Sequence, residues 1–319
     1  MNTDLAPTMK AIQFYTYGGP DVLLYEDTSR PVPGSGEVLV RIYAAGINPG
    51  DWIIRSGLSQ NAGLHIDFPY IPGFDISGVV EEVGAGVTEF QRGEAVYGMT
   101  QSGGAYAEYA VAPVGQLARK PSSINHVQAA GVPMSAFTAW RSLFIQAQMK
   151  AGQTVLINGA AGGVGHFAVQ LAKRAGARVI GVASGRHAEF LLEMGVDQHI
   201  DYTNVSVEDV IKNVDLVVDT VGGENGYRLL KALKPGGILV PTVGGTYISR
   251  DNGRSDVFVR DVLLTAVTTA QLMKISRLID AGDLHVIIDA TFPLAQARQA
   301  HEVLGNQHAR GKTILRVRE

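Results

Sequence analysis

The strongest structural signal in this chain is TVLINGAAGGVGHFAVQLAKRAG at residues 154–176. A run of apolar and β-branched residues leads into a glycine-rich loop, and apolar residues at helical spacing follow it. This order predicts a strand, a tight loop and a helix, in which glycines and a helix N-terminus bind a dinucleotide pyrophosphate. The common fingerprint has a glycine where this chain has Ala160, so a glycine-rich connection without a ligand is the competing interpretation. The residues expected to contact the pyrophosphate are Ala160, Gly162, Gly163, Val164 and Gly165.

Strands and helices alternate downstream of this loop. Apolar strand-like runs such as ARVIGVA (177–183) and DLVVDTVG (215–222) are separated by amphipathic segments such as HAEFLLEMG (187–195). That alternation predicts βαβ units and a doubly wound parallel sheet, which makes this an α/β protein.

The chain upstream has a different pattern. Residues 9–126 show short alternating apolar runs separated by Gly and Pro, which predicts an all-β, partly barrel-like unit. The helix and strand patterns that follow the end of the parallel sheet near Val267 have no free place in it, so we expect them to return to the β unit. The predicted domains are therefore 1–127 with 268–319, and 128–267.

Composition narrows the class of protein. The chain has 319 residues, 46% of them apolar and 18% charged, which is enough apolar material for two domains with buried cores. It has no cysteine, so thiolate zinc sites and a cysteine nucleophile are excluded. A net charge of −3 without a basic block does not favour nucleic-acid binding. No signal peptide and no apolar run long enough to span a membrane are seen, so a cytoplasmic protein is expected.

The end of the second parallel strand bears on cofactor choice. An acidic residue there would hold the ribose diol of NAD, but the chain has Ser184 and Arg186, and its first acid is Glu189. A hydroxyl and a guanidinium suit a 2′-phosphate, so NADPH is favoured over NADH, with His187 as a weaker phosphate candidate. The alternative is that Ser184 caps the next helix and that Arg186 is solvated.

Several motifs together resemble the medium-chain dehydrogenase/reductase superfamily, and within it the zinc-independent quinone oxidoreductases related to ζ-crystallin. The resemblance implies a GroES-like, β-barrel-type catalytic domain, a Rossmann domain that binds the cofactor, and catalysis in the cleft between them. It also implies a homodimer joined through Rossmann sheet edges, for which VLLTAV (262–267) is the candidate. The motifs that carry it are AAGINPGDW (44–52), IPGFDISGVVEEVGAGV (71–87), GGAYAEYAV (103–111), INGAAGGVG (157–165) and HARGKTILRV (308–317).

The comparison with zinc alcohol dehydrogenases indicates what this chain lacks. Those enzymes have a catalytic Cys at the position of Asn48, His-Glu at Phe74-Asp75, and a lobe with four cysteines, none of which is present here. Without zinc to stabilise an alkoxide, hydride transfer requires an acceptor that delocalises the charge itself, such as a quinone or an α,β-unsaturated carbonyl. No metal site is therefore expected.

The resemblance also supplies candidate catalytic residues. Asn48 is expected to donate a hydrogen bond to the substrate or to contact the nicotinamide ribose, unless it only forms an Asn-Pro turn. Asp51 is a second candidate, with the N-cap of a short helix as the alternative. Tyr106 is a possible acid, or an ordinary strand aromatic. Asp75 is either a buried carboxylate that orients its neighbours or a plain turn residue. His301 is expected at the surface.

Further cofactor contacts are implied at the carboxyl ends of later strands, where ligands of parallel sheets bind. They are Thr220 and Val221 after the fourth strand, and Val243 and Gly244 after the fifth; simple turns are the alternative. Lys312, just before the last strand, lies near the cofactor in the family, and a surface cation is the alternative here.

The leading functional hypothesis is NADPH-dependent, metal-independent hydride transfer to quinones or related conjugated carbonyls. An alkenal or enone double-bond reductase would use the same site. A non-enzymatic NADPH-binding sensor or structural protein is the alternative from another class, because fold alone does not establish an activity.

Overall fold

The structure is a computed structural model that describes residues 7–243, 254–262, 267–306 and 310–319. Its strands are β1 (Thr8–Gln13), β2 (Leu24–Ser29), β3 (Glu37–Gly46), β4 (Asp75–Val83), β5 (Ala95–Met99), β6 (Tyr109–Pro113), β7 (Leu117–Arg119), β8 (Thr154–Asn158), β9 (Arg178–Ala183), β10 (Gln198–Asp201), β11 (Val214–Asp219), β12 (Leu233–Pro241), β13 (Phe258–Val259), β14 (Ile288–Pro293) and β15 (Lys312–Arg316). Its helices are α1 (Pro49–Arg55), α2 (His126–Ala130), α3 (Pro133–Trp140), α4 (Gly165–Arg174), α5 (Ala188–Glu193), α6 (Val207–Val210), α7 (Gly223–Arg228), α8 (Thr269–Asp280) and α9 (Ala297–Asn306).

A parallel sheet forms the half of the molecule that contains the glycine-rich loop. Its strand order is β10-β9-β8-β11-β12-β13, and every neighbouring pair is parallel. On β8, Val155 and Ile157 pack into one apolar cluster and Leu156 packs into another, all three fully buried. Successive strand residues point to opposite faces, so a strand that is apolar throughout requires both faces to be covered. The predicted doubly wound sheet is confirmed.

The second sheet is largely antiparallel and forms the core of the other half of the molecule. Its order is β14-β15-β3-β4-β5-β7, and β6 also pairs with β3. The C-terminal strand β15 lies antiparallel to β3, with Ile314 opposite Gly46. The last strands of the chain thus belong to this sheet, while the exact domain boundaries stay a prediction.

Two sets of hydrogen bonds join the sheets. Gly311 N, at the entry to β15, donates to the carbonyl of Ala161 in the glycine-rich loop at 2.8 Å. Gln170 on α4 binds the backbone of His285 in both directions, Nε2 to the carbonyl at 3.0 Å and Oε1 from the N–H at 2.7 Å. Helix α4, which follows the glycine-rich loop, is therefore fastened to the segment that returns the chain to the antiparallel sheet.

Two predictions concern surfaces of the whole protein. Residues 263–266 of the predicted dimer edge lie outside the described residues, so the homodimer stays a prediction. Within the described ranges, no helix combines the length and the apolar character that crossing a membrane requires.

Candidate active site

The loop between β8 and α4 is shaped to receive a dinucleotide. Gly159 adopts φ +75°, which opens the turn. A Cβ on Gly165 would lie 2.1 Å from the carbonyl oxygen of Gly159, so the first turn of α4 packs too closely for any side chain there. The N–H groups of Gly163 and Val164 have no acceptor in the part of the chain that the structure describes. Free N–H groups at the start of a ten-residue helix fit a pyrophosphate.

Gly165→Ala is expected to destabilise the protein and to weaken cofactor binding, because the new methyl group meets a backbone oxygen that cannot move away alone. Overpacking of this kind costs about 1–3 kcal/mol. Gly162→Ala is the matched control, since its Cβ would meet the nearest atom at 3.3 Å. Urea denaturation measures the free energy of unfolding of the two variants. An equal loss of stability in both would contradict this description of the loop.

The end of β9 carries the residues predicted to select the cofactor. Ser184 stands at an N-cap position but its side chain makes no capping bond, and its Oγ is buried with no hydrogen-bond partner among the residues that the structure describes. Arg186 is exposed and its Nε contacts His187 Nε2 at 3.1 Å. The sequence reading missed Asp201 at the end of β10, whose carboxylate lies 2.5 Å from where a Cβ of Gly185 would be. Hydrogen bonds, first that from the Thr203 hydroxyl, lower the pKa of Asp201, so this site also holds a negative charge.

The other predicted cofactor loops follow β11 and β12. Thr220 donates its hydroxyl proton to the carbonyl of Asn158 at 2.7 Å, which ties its loop to the end of β8. Val221 beside it is 52% exposed, an apolar side chain open to contact. Val243 follows β12, and Gly244 lies outside the described residues.

Asn48 lies at the centre of a buried polar cluster. It follows β3, occupies the N-cap of α1 and is 3% exposed. Its Nδ2 donates to Asp75 Oδ2 at 3.0 Å, and its Oδ1 accepts from Lys312 Nζ at 2.6 Å. Lys312 also donates to the carbonyl of Ile47 at 2.9 Å and lies 3.9 Å from Asp75 Oδ2. The prediction that Asp75 is a buried carboxylate orienting its neighbours is confirmed.

These partners determine which way the amide of Asn48 points. An ammonium can only donate, so it must meet the amide oxygen, and an ionised carboxylate can only accept, so it must meet the amide nitrogen. One Nδ2 hydrogen of Asn48 is left without an acceptor among the described residues. The cluster thus holds a single N–H donor in a fixed orientation.

Asp51 does not cap α1; that prediction is wrong. It is the third residue of the helix, and its Oδ2 accepts from the backbone N–H of Asn48 at 2.8 Å. Tyr106 precedes β6, is fully buried and donates its hydroxyl proton to the same oxygen at 2.8 Å. An acid three residues after an N-cap Asn is a capping-box signature with Pro at the first helical position, so the signal was present in the sequence.

Two residues expected or allowed at the surface are buried. Lys312 is 3% exposed, so the surface alternative is wrong for it. His301 on α9 is 5% exposed, and its Nε2 lies 3.2 Å from the hydroxyl of Tyr106. Helical spacing from Ala297, which is fully buried, places His301 on the apolar stripe of α9 and could have indicated its burial.

Burial controls the electrostatics of the cluster. It raises the pKa of Asp51 to about 7 and that of Asp75 to about 6, because a charged carboxylate loses its hydration there. Burial lowers the pKa of Lys312, and the two carboxylates act in the opposite direction. Two acids share one ammonium, so the ionisation of each depends on the others.

Known proteins match this chain over nearly its full length. A family model described as "Alcohol dehydrogenase GroES-like domain" matches residues 34–122, and one described as "Zinc-binding dehydrogenase" matches residues 194–315. The quinone oxidoreductase of Mus musculus is 35% identical, over 96% of this chain and 97% of that protein. The chain belongs to the quinone oxidoreductase family of the medium-chain dehydrogenase/reductase superfamily. The quinone oxidoreductase of Homo sapiens, a further relative, is 32% identical over 96% of the chain and 97% of that protein.

Solved structures of family members agree. The quinone oxidoreductase from Coxiella burnetii superposes with a TM-score of 0.91 at 33% identity, covering 98% of this chain and 100% of that one. The enzyme from Pseudomonas syringae pv. Tomato DC3000 gives 0.88 at 31% identity, covering 97% and 100%. This chain is accordingly an oxidoreductase with a nicotinamide cofactor, and the predicted pairing of a GroES-like domain with a Rossmann-type sheet is confirmed.

The zinc named in one family description does not fit the residues of this site. Zinc is bound by thiolate, imidazole and carboxylate ligands. At the corresponding positions this chain has the amide of Asn48, the apolar Phe74 and the carboxylate of Asp75. The ammonium of Lys312 lies beside both Asn48 and Asp75, and the chain has no cysteine. No group of three potential metal ligands occurs among the residues that the structure describes. A zinc ion would have to compete with a cation already held by Asn48.

Proposed function

We propose that this protein catalyses NADPH-dependent, metal-independent hydride transfer to quinones or related conjugated carbonyls. The observation that carries the proposal is the fixed amide of Asn48 between Lys312 and Asp75, in place of metal ligands. Its relatives are named quinone oxidoreductases and match at least 96% of this chain, which supports the same substrate class.

The cofactor, when bound, supplies a hydride from its reduced nicotinamide. The chain contributes the groups around it: the loop of Gly163 and Val164 for the pyrophosphate, and the loops of Thr220 and Val243 at the carboxyl ends of β11 and β12. Lys312 links the two halves, since its side chain packs within 3.0 Å of where a Cβ of Gly163 would be while its ammonium holds Asn48. The loop proposed to hold the cofactor therefore adjoins the Asn48 cluster.

The chemistry of the cluster limits the acceptor. One neutral N–H, supported by a buried ammonium, is a modest stabiliser for a developing oxyanion compared with a Lewis acid. A quinone or enone spreads the incoming charge over its conjugated system, so a modest donor is sufficient. An isolated ketone concentrates the charge on one oxygen and is expected to react poorly.

A panel of acceptors tests the proposal. NADPH oxidation is measured with benzoquinone and naphthoquinone, with an enone such as methyl vinyl ketone, and with cyclohexanone. Turnover of the quinones supports the proposal, turnover restricted to the enone favours the double-bond reductase, and NADPH binding without any turnover favours the binding protein. A preference for cyclohexanone would contradict it.

Selection of NADPH is proposed to rest on Ser184 and Arg186. The buried Oγ of Ser184, which has no partner in the described ranges, and the exposed guanidinium of Arg186 fit a 2′-phosphate, while the carboxylate of Asp201 opposes one. Arg186→Ala is expected to weaken NADPH binding about 10-fold and to leave NADH binding nearly unchanged, because a charge-assisted bond is lost only with the phosphate.

Ligand-induced shifts of the melting temperature measure this preference, since a ligand at free concentration L that binds only the folded state stabilises it by RT ln(1 + L/Kd). Arg178→Ala is the matched control, an exposed arginine at the opposite end of the same strand. Unchanged discrimination in Arg186→Ala would remove the assignment of the 2′-phosphate to this residue.

A further inference from the structure

The side chains of Asp51, Tyr106 and His301 are joined in a buried series of hydrogen bonds. None of the three is needed to accept the hydride. Tyr106 has one hydroxyl proton and two partners, Asp51 Oδ2 at 2.8 Å and His301 Nε2 at 3.2 Å. All three side chains are at most 5% exposed. With Asp51 ionised, the Tyr106 hydroxyl donates to the carboxylate and accepts from the Nε2–H of His301. Burial lowers the pKa of His301 to about 4, so its ring is neutral and can carry this proton on Nε2.

The carboxylate of Asp51, at the end of this hydrogen-bonded series, binds the backbone of Asn48. Asp51 Oδ2, which receives the Tyr106 proton, also accepts the backbone N–H of Asn48 at 2.8 Å. Its other oxygen, Oδ1, is buried without a hydrogen-bond partner among the described residues. A proton placed on Oδ1 would therefore be an unsatisfied buried donor, and the bonds to Oδ2 would lose their charge assistance. The grip on Asn48 is strongest when Asp51 is ionised.

We propose that Asp51, Tyr106 and His301 are positioning residues for Asn48, with the ionised carboxylate of Asp51 holding the backbone of Asn48 and the Tyr106–His301 pair holding that carboxylate. The inference rests on the proposed role of Asn48 in hydride transfer. It revises the expectation that Asp51 and Tyr106 touch the substrate, and it adds His301, which the sequence reading left at the surface.

Several charged and titratable groups face Asp51. From β4 and β15, Asp75 raises its pKa and Lys312 lowers it. The hydrogen bonds from Asn48 and Tyr106 lower it, and burial, the largest effect, raises it to about 7. Tyr70 is also close enough to respond to the charge of Asp51. From its own helix, Arg55 acts on Tyr106 and His301.

The resulting pH dependence has opposite signs for stability and activity. The pKa of Asp51 is higher in the folded protein than in the unfolded chain, so ionising it costs stability as the pH rises from about 4 through about 7. Activity is expected to rise over the upper part of that range, because ionised Asp51 holds Asn48. A merely structural group would move stability and activity in the same direction.

Tyr106→Phe tests the proposal with a minimal change. The hydroxyl lowers the pKa of Asp51, so its loss raises that pKa and moves the acid limb of kcat/KM to higher pH. Asp51 has a pKa of about 7, and if that pKa rises by about one unit we expect kcat/KM to fall by about 5- to 10-fold at pH 6.5 and by less than about 3-fold at pH 9. His301→Leu is expected to shift the acid limb of kcat/KM to higher pH as well. His301→Gln can still donate to Tyr106, so its acid limb is expected to stay at the wild-type pH.

Tyr97→Phe is the matched control. Tyr97 is also fully buried, and its hydroxyl donates to the carbonyl of Leu272 at 2.7 Å, away from Asn48. It is expected to lower the melting temperature without moving the acid limb. The proposal would be overturned if the acid limb of Tyr106→Phe stayed at the wild-type pH. It would also be overturned if Tyr97→Phe showed the same shift as Tyr106→Phe.

A second readout does not need turnover. Hydrogen–deuterium exchange of the peptide spanning residues 47–56 is measured at about pH 7.5 and about pH 9 in the wild-type protein and in Tyr106→Phe, because Asp51, whose pKa is about 7, is mostly ionised in the wild-type protein at the lower of these pH values. Faster exchange in the variant at the lower pH, after correction for the intrinsic pH dependence, is expected from a loosened Asn48, and equal exchange would count against the proposal. If the wild-type protein reduces no quinone at any pH while this exchange difference is present, the proposed function fails and the positioning role stands.

Discussion

Asn48→Ala is expected to lower kcat with a quinone about 100-fold while the affinity for NADPH changes by less than about 2-fold. Removing one preorganised donor to a developing oxyanion costs about 10²–10³ in kcat in well-studied enzymes. The Asn48 amide is preorganised in this sense, since Lys312 and Asp75 occupy its oxygen and one of its hydrogens. Its position beside the cofactor loop, and not in it, is the reason that NADPH binding is spared.

Stopped-flow measurement of single-turnover NADPH oxidation separates this effect from binding. Asn125→Ala serves as a control for asparagine loss, because Asn125 also caps a helix, α2, but is exposed and far along the chain from the cluster. It is expected to cost about 1 kcal/mol of stability and no activity. A kcat for Asn48→Ala within about 3-fold of the wild-type value would show that Asn48 is only a turn residue.

Lys312→Met is expected to reduce both stability and activity. Removing the ammonium leaves Asp75 buried and without its cation, and breaking a buried pair in this way costs about 3–5 kcal/mol. The pKa of Asp75, which Lys312 lowers, should rise as a result. Asn48 loses the donor to its oxygen and is then held only through its Nδ2 bond to Asp75, so its amide is less firmly oriented and kcat should fall along with stability.

A double variant separates the two losses. Replacing both partners of a buried pair by neutral groups is close to neutral for stability, so Lys312→Met with Asp75→Asn should recover much of the free energy of unfolding. Its activity should stay low, because the ammonium is still missing. Lys173→Met is the control, since its ion pair with Asp197 is partly exposed and worth about 1 kcal/mol or less. Full recovery of activity in the double variant would contradict the role given to Lys312.

The parallel sheet and its glycine-rich loop could be predicted because their signals are local. The run into β8, the glycines and the apolar stripe of α4 all lie within 154–176, and spacing alone distinguishes them from other patterns. The partner of Asn48 could not be found in this way. Asn48 and Lys312 are 264 positions apart, and they meet only because β15 pairs with β3 across the second sheet.

Burial of charge was the harder feature to predict. Lysine and aspartate are rarely buried, so surface positions were reasonable expectations for Lys312, yet Lys312 and Asp75 are almost fully enclosed and compensate one another. His301 was missed for the same reason, although its place on the apolar stripe of α9 indicated burial. Places where a general rule of this kind fails are often functional sites, and here the exceptions surround one residue, Asn48.

We expect a fixed amide and a buried ammonium to take the place that zinc has in alcohol dehydrogenases. The most direct test is to treat the purified protein with a chelator, verify its metal content by mass spectrometry, and compare NADPH oxidation with naphthoquinone and with cyclohexanone. We expect unchanged quinone reduction by the metal-free protein and negligible ketone reduction. Loss of activity on removal of a stoichiometric metal, or reduction of cyclohexanone in preference to naphthoquinone, would contradict it.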